Sequence, residues 1–395
     1  MKIRTITGTI ALAVAAVIAV TGCVKDSTDS FDTGKKYSRV TTLFLLGNNS
    51  LSGYIRTNAA TLAANPLPLK SDSRVVLVYE HLVLESPKLL RYYSDWRGTP
   101  QADTLMVLDP ETISADPEKI AMILDYVKEN FESDHYGMLV SSHGTGWLPE
   151  NYYAHHSNPG TIFMSIGSDT STDYVDGAEI SLPDFADCIH YKQDYIILDA
   201  CLMGGVEVAY QLRDKTDRLV FSATEILARG YCYDALVKDF LGGKDYDADA
   251  FCQSFYDMTL KQPGTDKSCT ISSVLTADLE NLAGVCTILF EKYRPQISKL
   301  KYNEVQGFFT NSKTWFYDLV DIMVKAGITD TEKSALESAI GKCVTYCAHT
   351  DNFLGKFDIN TYCGFSMYLP GAGNDYLNGY YSSLDWNKAT GLVKQ

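Results

Sequence analysis

The sequence carries no block of lysines and arginines: 34 basic residues stand against 49 acidic ones, a formal net charge of −15. Phosphate backbones are held by clustered Lys and Arg, so this balance argues against a nucleic-acid partner. It suits a soluble acidic protein and would attract basic substrates. Internal repeats and low-complexity tracts are missing, and 28 Gly and 12 Pro in 395 residues are ordinary levels. Fibrous and disordered classes are thereby set aside. The ten cysteines include no paired C-x-x-C motif with zinc spacing. His155-His156 has no carboxylate or cysteine at supporting helical spacing, so no metal site is expected there.

The N-terminus reads as a targeting segment. Lys2 and Arg4 precede an apolar run, Ile10 to Val20, that is too short to span a bilayer. The run ends at Val20-Thr21-Gly22-Cys23, which resembles a bacterial lipobox. That resemblance implies a signal peptide over residues 1–22 and a lipid on Cys23. The protein is then expected to be exported and anchored to a bacterial cell membrane, at its periplasmic face or the cell surface. The other reading is an ordinary cleaved signal with an incidental cysteine. Removing residues 1–22 takes away two basic residues and no acidic one, which leaves a charge of −17. Residues 23–36 are polar and read as a flexible tether.

With 46% hydrophobic residues the remainder can bury a full core. Short apolar runs alternate with helical patterns, which predicts an α/β fold with a mainly parallel sheet flanked by helices. Strands are expected at Val40–Leu46, Arg74–Glu80, Tyr136–Ser141, Tyr195–Leu198, Leu219–Ala223, Cys269–Leu275 and Gly364–Leu369, with a small edge hairpin at Arg91–Tyr93 and Leu105–Leu108. Helices are expected at Ala115–Phe131, Leu182–Ile189 and Gly205–Arg213, and across Cys343-x-x-x-Cys347. One domain, 37–395, is predicted, with a mostly helical C-terminal part over about 248–395 packed on it.

Two strands end on chemistry, and open α/β sheets place their sites at the carboxyl ends of strands. One delivers Ser142-His143-Gly144-Thr145-Gly146-Trp147, where the glycines permit a sharp turn. The other delivers Asp199-Ala200-Cys201-Leu202-Met203-Gly204-Gly205 just before a predicted helix. A cysteine at a helix N-terminus is expected to favour thiolate, and the turn's N–H groups suit an oxyanion. Taken singly, each residue also has an ordinary explanation: a small buried cysteine and a satisfied histidine. His135, His155, His156, His190 and His349 lack any such setting.

The full strings, Ser142 to Trp147 and Asp199 to Tyr210, closely resemble the clostripain family of cysteine peptidases. Phe221-Ser222-Ala223-Thr224-Glu225, Tyr233-Asp234 and Gly364 to Pro370 agree with it, so the resemblance covers about Val40 to Pro370. It implies a caspase-like fold and a cysteine endopeptidase in which His143 and Cys201, 58 residues apart, form the catalytic dyad. The oxyanion hole would be formed by the amides of Gly144 and Cys201. Asp199 would hold a basic P1 side chain, giving cleavage after Arg or Lys, or else only organise the turn. Glu225 and its following loop would line the substrate pocket, where Arg229 offsets acidic charge. Trp147 would either wall the site or pack under the glycine turn. Protein or peptide substrates and a monomeric state are implied; no cofactor is required, although the resemblance leaves room for calcium. A non-catalytic surface lipoprotein that binds peptides or glycans is the rival, but it has no need of His143 and Cys201 together. The family often self-cleaves after a basic residue between the histidine and cysteine strands. Here residues 144–180 contain no Lys or Arg, and the next basic residue is Lys192.

Overall fold

Every residue of the first strand, β1 (Arg39–Gly47), is buried, as a strand covered on both faces requires. The computed structural model describes residues 35–150, 152, 166–169, 178–243, 245–309 and 315–394. The signal peptide, Cys23, most of the tether and His155-His156 lie outside these residues, and Lys35 onward forms one unit.

The other strands of the main sheet are β2 (Arg74–Leu82), β3 (Lys88–Ser94), β4 (Pro100–Val107), β5 (Tyr136–Ser141), β6 (Tyr195–Asp199), β7 (Arg218–Phe221), β8 (Thr270–Leu275) and β9 (Val344–His349). Their spatial order is β9-β8-β7-β6-β5-β1-β2-β3-β4. The five central strands run parallel. An antiparallel pair closes each side. The expected parallel core is therefore present, and the edge hairpin is real but longer than its apolar runs suggested. No residue of β4, an edge strand, is fully buried, so its apolar pattern is weak in sequence.

Helices cover the sheet for local reasons. In Pro117–Asn130 the Asp116 carboxylate caps the Glu118 N–H at 2.8 Å, and Pro sits at the first helical position. Ile120, Ile123, Leu124 and Val127 then form one buried face. Each such side chain contributes about 1.5–3 kcal/mol on burial. Helix Asp330–Cys343 starts from a capping box between Thr329 and Glu332. It stops at Cys343, and Cys347 lies on β9, which corrects the expectation of a helix across both cysteines. Val344, Thr345 and Tyr346 are β-branched or aromatic, and Val344 and Tyr346 pair with β8 around a bulge at Thr345.

The C-terminal part carries helices Ala248–Leu260, Leu279–Ile297, Leu319–Ala326, Asp375–Tyr381 and Asp385–Thr390, but it also supplies β8 and β9. It is thus built into the same sheet. Of the strand expected at Gly364–Leu369, only Ser366–Met367 is paired, with Tyr317–Asp318. Ser366 N–H donates to the Gly204 carbonyl at 2.8 Å, which ties this segment to the turn after Cys201. None of the described cysteines is in a disulfide.

Candidate active site

Because β5 and β6 are parallel neighbours, with Ser141 opposite Asp199, the residues that follow them emerge at the same edge. His143 and Cys201 are thereby brought together, and both are partly exposed. The two turns touch through their backbones. A Cβ on Gly144 would lie 2.7 Å from the Cys201 carbonyl oxygen and 2.9 Å from the Ala200 Cβ, so only glycine fits. Gly146 has φ +63°, and a Cβ there would meet the Leu202 carbonyl oxygen and the Phe316 ring at 2.6 Å. Leu202, directly after the cysteine, is itself left-handed at φ 62° and buried. That conformation costs a leucine about 1 kcal/mol or more, and it turns the chain sharply away from the cysteine.

The helix after this turn is Val206–Gln211, capped by Gly205. Four residues separate it from Cys201, so the cysteine is not at a helix N-terminus and the expected thiolate stabilisation is absent. Burial, with the nearby Glu225 charge, pushes the thiol up to about 12. Burial also lowers His143 to about 4. The resting pair is a neutral thiol and a neutral imidazole. Neither is bonded to the other: His143 Nε2 shares a 3.1 Å hydrogen bond with Ser50 Oγ. Cys201 Sγ accepts the Ile226 N–H at 3.3 Å, and the thiol donates to the Ile226 carbonyl at 3.6 Å.

Asp199 is buried below the nucleophile. It accepts from Ser141 Oγ at 3.1 Å, the Tyr231 N–H at 3.0 Å and Tyr233 Oη at 3.2 Å. Burial raises its carboxyl to about 6 despite these donors. It therefore ties Tyr231 and Tyr233, at the end of the loop after Glu225, to the strand under the cysteine. Arg229, in that loop, pairs with Asp266 at 3.3 Å. Its charge is directed to Asp266 and is already compensated. A crevice beside the loop is lined by Glu225, Ile226, Arg229 and Cys269.

Trp147 does not wall the site. It is fully buried, with ring centroids 4.7 Å from Tyr368 and 5.0 Å from Tyr381. An aromatic beneath two close-packed glycines has no route to the surface. Glu207, on the helix after the nucleophile turn, accepts from the Tyr368 N–H and Tyr381 Oη, both at 2.8 Å. It anchors the C-terminal segment under the site.

Sequence reasoning missed Ser50 and Ile226. Ser50 follows the carboxyl end of a central parallel strand, and that position is the one signal that marks it. Ile226 engages the thiol through its backbone, which no side-chain pattern can report. The other described histidines are occupied elsewhere: His135 pairs with Asp194 at 3.0 Å and His190 with Asp125 at 2.8 Å. His349 bonds the Thr350 carbonyl and His81 the Ser114 hydroxyl. Among the described residues, no group of three or more His, Cys, Asp or Glu side chains converges as cation ligands would.

A cysteine and a histidine thus stand on adjacent strand ends of a parallel core, with glycine backbones packed between them. The clostripain family model matches residues 43–390, and the chain belongs to that family. Clostripain of Hathewaya histolytica is 32% identical over 134 residues, 32% of this chain and 24% of that protein. The match thus spans about a quarter of the relative's length. An inactive zymogen C11 protease from Parabacteroides distasonis is 27% identical, with a TM-score of 0.76 over 90% of this chain and 99% of that one. A secreted C11 cysteine protease from Bacteroides thetaiotaomicron shares the fold at 20% identity, with a TM-score of 0.77 over 90% and 99% of the two chains.

The neutral resting pair has a kinetic signature. Iodoacetamide alkylation of Cys201 in the free enzyme should quicken about tenfold per pH unit from about pH 5 to about pH 9, because only thiolate reacts. A plateau across pH 5 to 7 would show a preformed thiolate–imidazolium pair.

Proposed function

We propose that the protein is a cysteine endopeptidase in which Cys201 is the nucleophile and His143 its base. Packing of the Gly144 backbone against Cys201 carries this reading, because it sets the two reactive side chains on one edge. His143 takes the thiol proton as Cys201 Sγ attacks the scissile carbonyl carbon. The negative oxygen that forms is received by the Gly144 and Cys201 amides. His143 then gives its proton to the departing amine, and water hydrolyses the thioester. Bound substrate has to replace the Ile226 backbone as the partner of the thiol. Calcium enters none of these steps.

Cleavage after Arg or Lys is supported by the charges around the nucleophile. Asp199 and Glu225 both act on Cys201, and each opposes its ionisation. A cationic P1 side chain beside them offsets that opposition as it binds. Arg229 leaves the field uncancelled because Asp266 holds it. Asp199 has used three acceptor positions internally, and a carboxylate offers about four. One remains for a P1 cation. A charged hydrogen bond of about 3 kcal/mol corresponds to roughly 10²-fold discrimination. With no basic residue across 144–180, such an enzyme acts as a single monomeric chain without cutting itself there.

Fluorogenic peptides varied at P1 provide the test. Arg and Lys should exceed neutral residues by about 10²-fold or more in kcat/KM. Cys201→Ala should abolish turnover, with Tm unchanged within a degree or two. Wild type and variant should run as the same single band after long incubation. Full activity in Cys201→Ala refutes the nucleophile assignment, and no turnover of any peptide by wild type leaves the binding-lipoprotein reading. A preference for Ala, Leu or Asp at P1 refutes the specificity alone.

Anchoring through a lipid on Cys23, at the periplasmic face or the cell surface, is supported by the lipobox resemblance and the polar segment behind it. A Cys23→Ser precursor should incorporate no labelled fatty acid and should either stay uncleaved or leave the membrane fraction. A cleaved variant that remains membrane-bound contradicts the anchor.

A further inference from the structure

Leu84 has nothing from the fold around it. It is 100% exposed, and its φ of +65° places a leucine in left-handed backbone. Leu202, strained in the same way, is buried at the nucleophile turn; Leu84 buries nothing in return for its strain. The turn that carries it is nevertheless held in place. Val83 N–H donates to Ser52 Oγ at 3.1 Å, Glu85 N–H to the Leu82 carbonyl at 3.0 Å, and Glu85 pairs with Arg56 at 2.7 Å. A strained, exposed and firmly held apolar tip is the pattern of a contact surface.

Its place in the sheet says what touches it. The carboxyl edge carries, in spatial order, the Glu225 loop after β7, Cys201 after β6, His143 after β5, Ser50 after β1 and Leu84 after β2. Leu45 is opposite both Ser141 and Glu80, so His143 stands level with Leu82. Two strand spacings separate β5 from β2, about 10 Å. Ser50 bridges part of that span by its bond to His143, and exposed Tyr54 lies in the first turn of the helix Ser52–Ala64 that follows it. His143 protonates the leaving amine, so the leaving half of the substrate lies on the histidine side of the cysteine. An extended peptide advances about 3.3 Å per residue, which brings the third residue after the scissile bond to this turn.

We propose that Leu84, with Val83 and Tyr54, forms a primed-side subsite that takes an apolar P3′ residue of an extended peptide. The inference rests on the dyad reading above, in which His143 marks the leaving-group side. It adds a second specificity element, apolar and remote, to the acidic one at P1.

Internally quenched peptides with a fixed P1 and varied P3′ test it. Wild type should favour Leu, Phe or Tyr over Gly or Asp at P3′ by about tenfold in kcat/KM, the worth of partly burying one apolar side chain. Leu84→Gly should lose that ratio while its Tm rises, because glycine accepts positive φ. Leu84→Lys should turn the preference toward Asp or Glu at P3′. Equal wild-type rates for all P3′ residues overturn the subsite, as does a ratio that survives in Leu84→Gly. A coumarin amide that ends at P1 examines the peptidase reading by itself. Its cleavage by wild type together with flat P3′ rates overturns only the subsite; no cleavage of either substrate overturns both.

Discussion

The contact between Gly144 and the Cys201 backbone is the constraint on which the site depends. Parallel pairing alone puts the ends of β5 and β6 a strand spacing apart, but side chains at the turns would hold the two loops away from each other. Glycine at 144 removes that obstacle, since a Cβ there would lie 2.7 Å from the Cys201 carbonyl oxygen. Gly146 and left-handed Leu202 then steer both chains away from the reactive pair. Support comes from below: Trp147 fills the space under the glycine turn, and Glu207 ties the nucleophile turn to Tyr368 and Tyr381. The C-terminal part thus packs directly under the turn that carries Cys201.

Electrostatics then set the state of the pair. Burial disfavours charge on both partners, so thiol and imidazole rest neutral, with the thiol bonded to Ile226 and the imidazole to Ser50. Two carboxylates nearby deepen the penalty on a thiolate. Under the proposed specificity for Arg or Lys, an acidic pocket of this kind would keep Cys201 weakly reactive until a cationic substrate arrives, coupling reactivity to recognition. The same arrangement protects the thiol from indiscriminate oxidation and alkylation, since both require thiolate.

Much of this was legible in the sequence, and the exceptions have physical causes. The strands carrying His143 and Cys201 announced themselves as fully apolar runs, and Tyr136–Ser141 matched residue for residue because a buried parallel strand tolerates nothing else. The expected thiolate failed because a motif gives the order of residues and not the four-residue gap before the helix. Trp147 was ambiguous because a tryptophan after a glycine turn reads alike whether it faces in or out; only the ring contacts decide. Ser50 and Leu84 were invisible for a shared reason. Both lie in loops brought to the site by strand order, and strand order is a long-range property that local periodicity does not contain.

The central claim is that one cysteine of the ten in the sequence, Cys201, is the nucleophile. Treating the protein with a peptidyl chloromethyl ketone ending in Lys, followed by proteolysis and mass spectrometry, measures this directly. The account predicts one adduct per chain on the peptide containing Cys201, and its loss in a His143→Ala variant that unfolds at the same temperature as wild type. An adduct on Cys188, Cys232 or any other cysteine, with Cys201 unmodified, would contradict it.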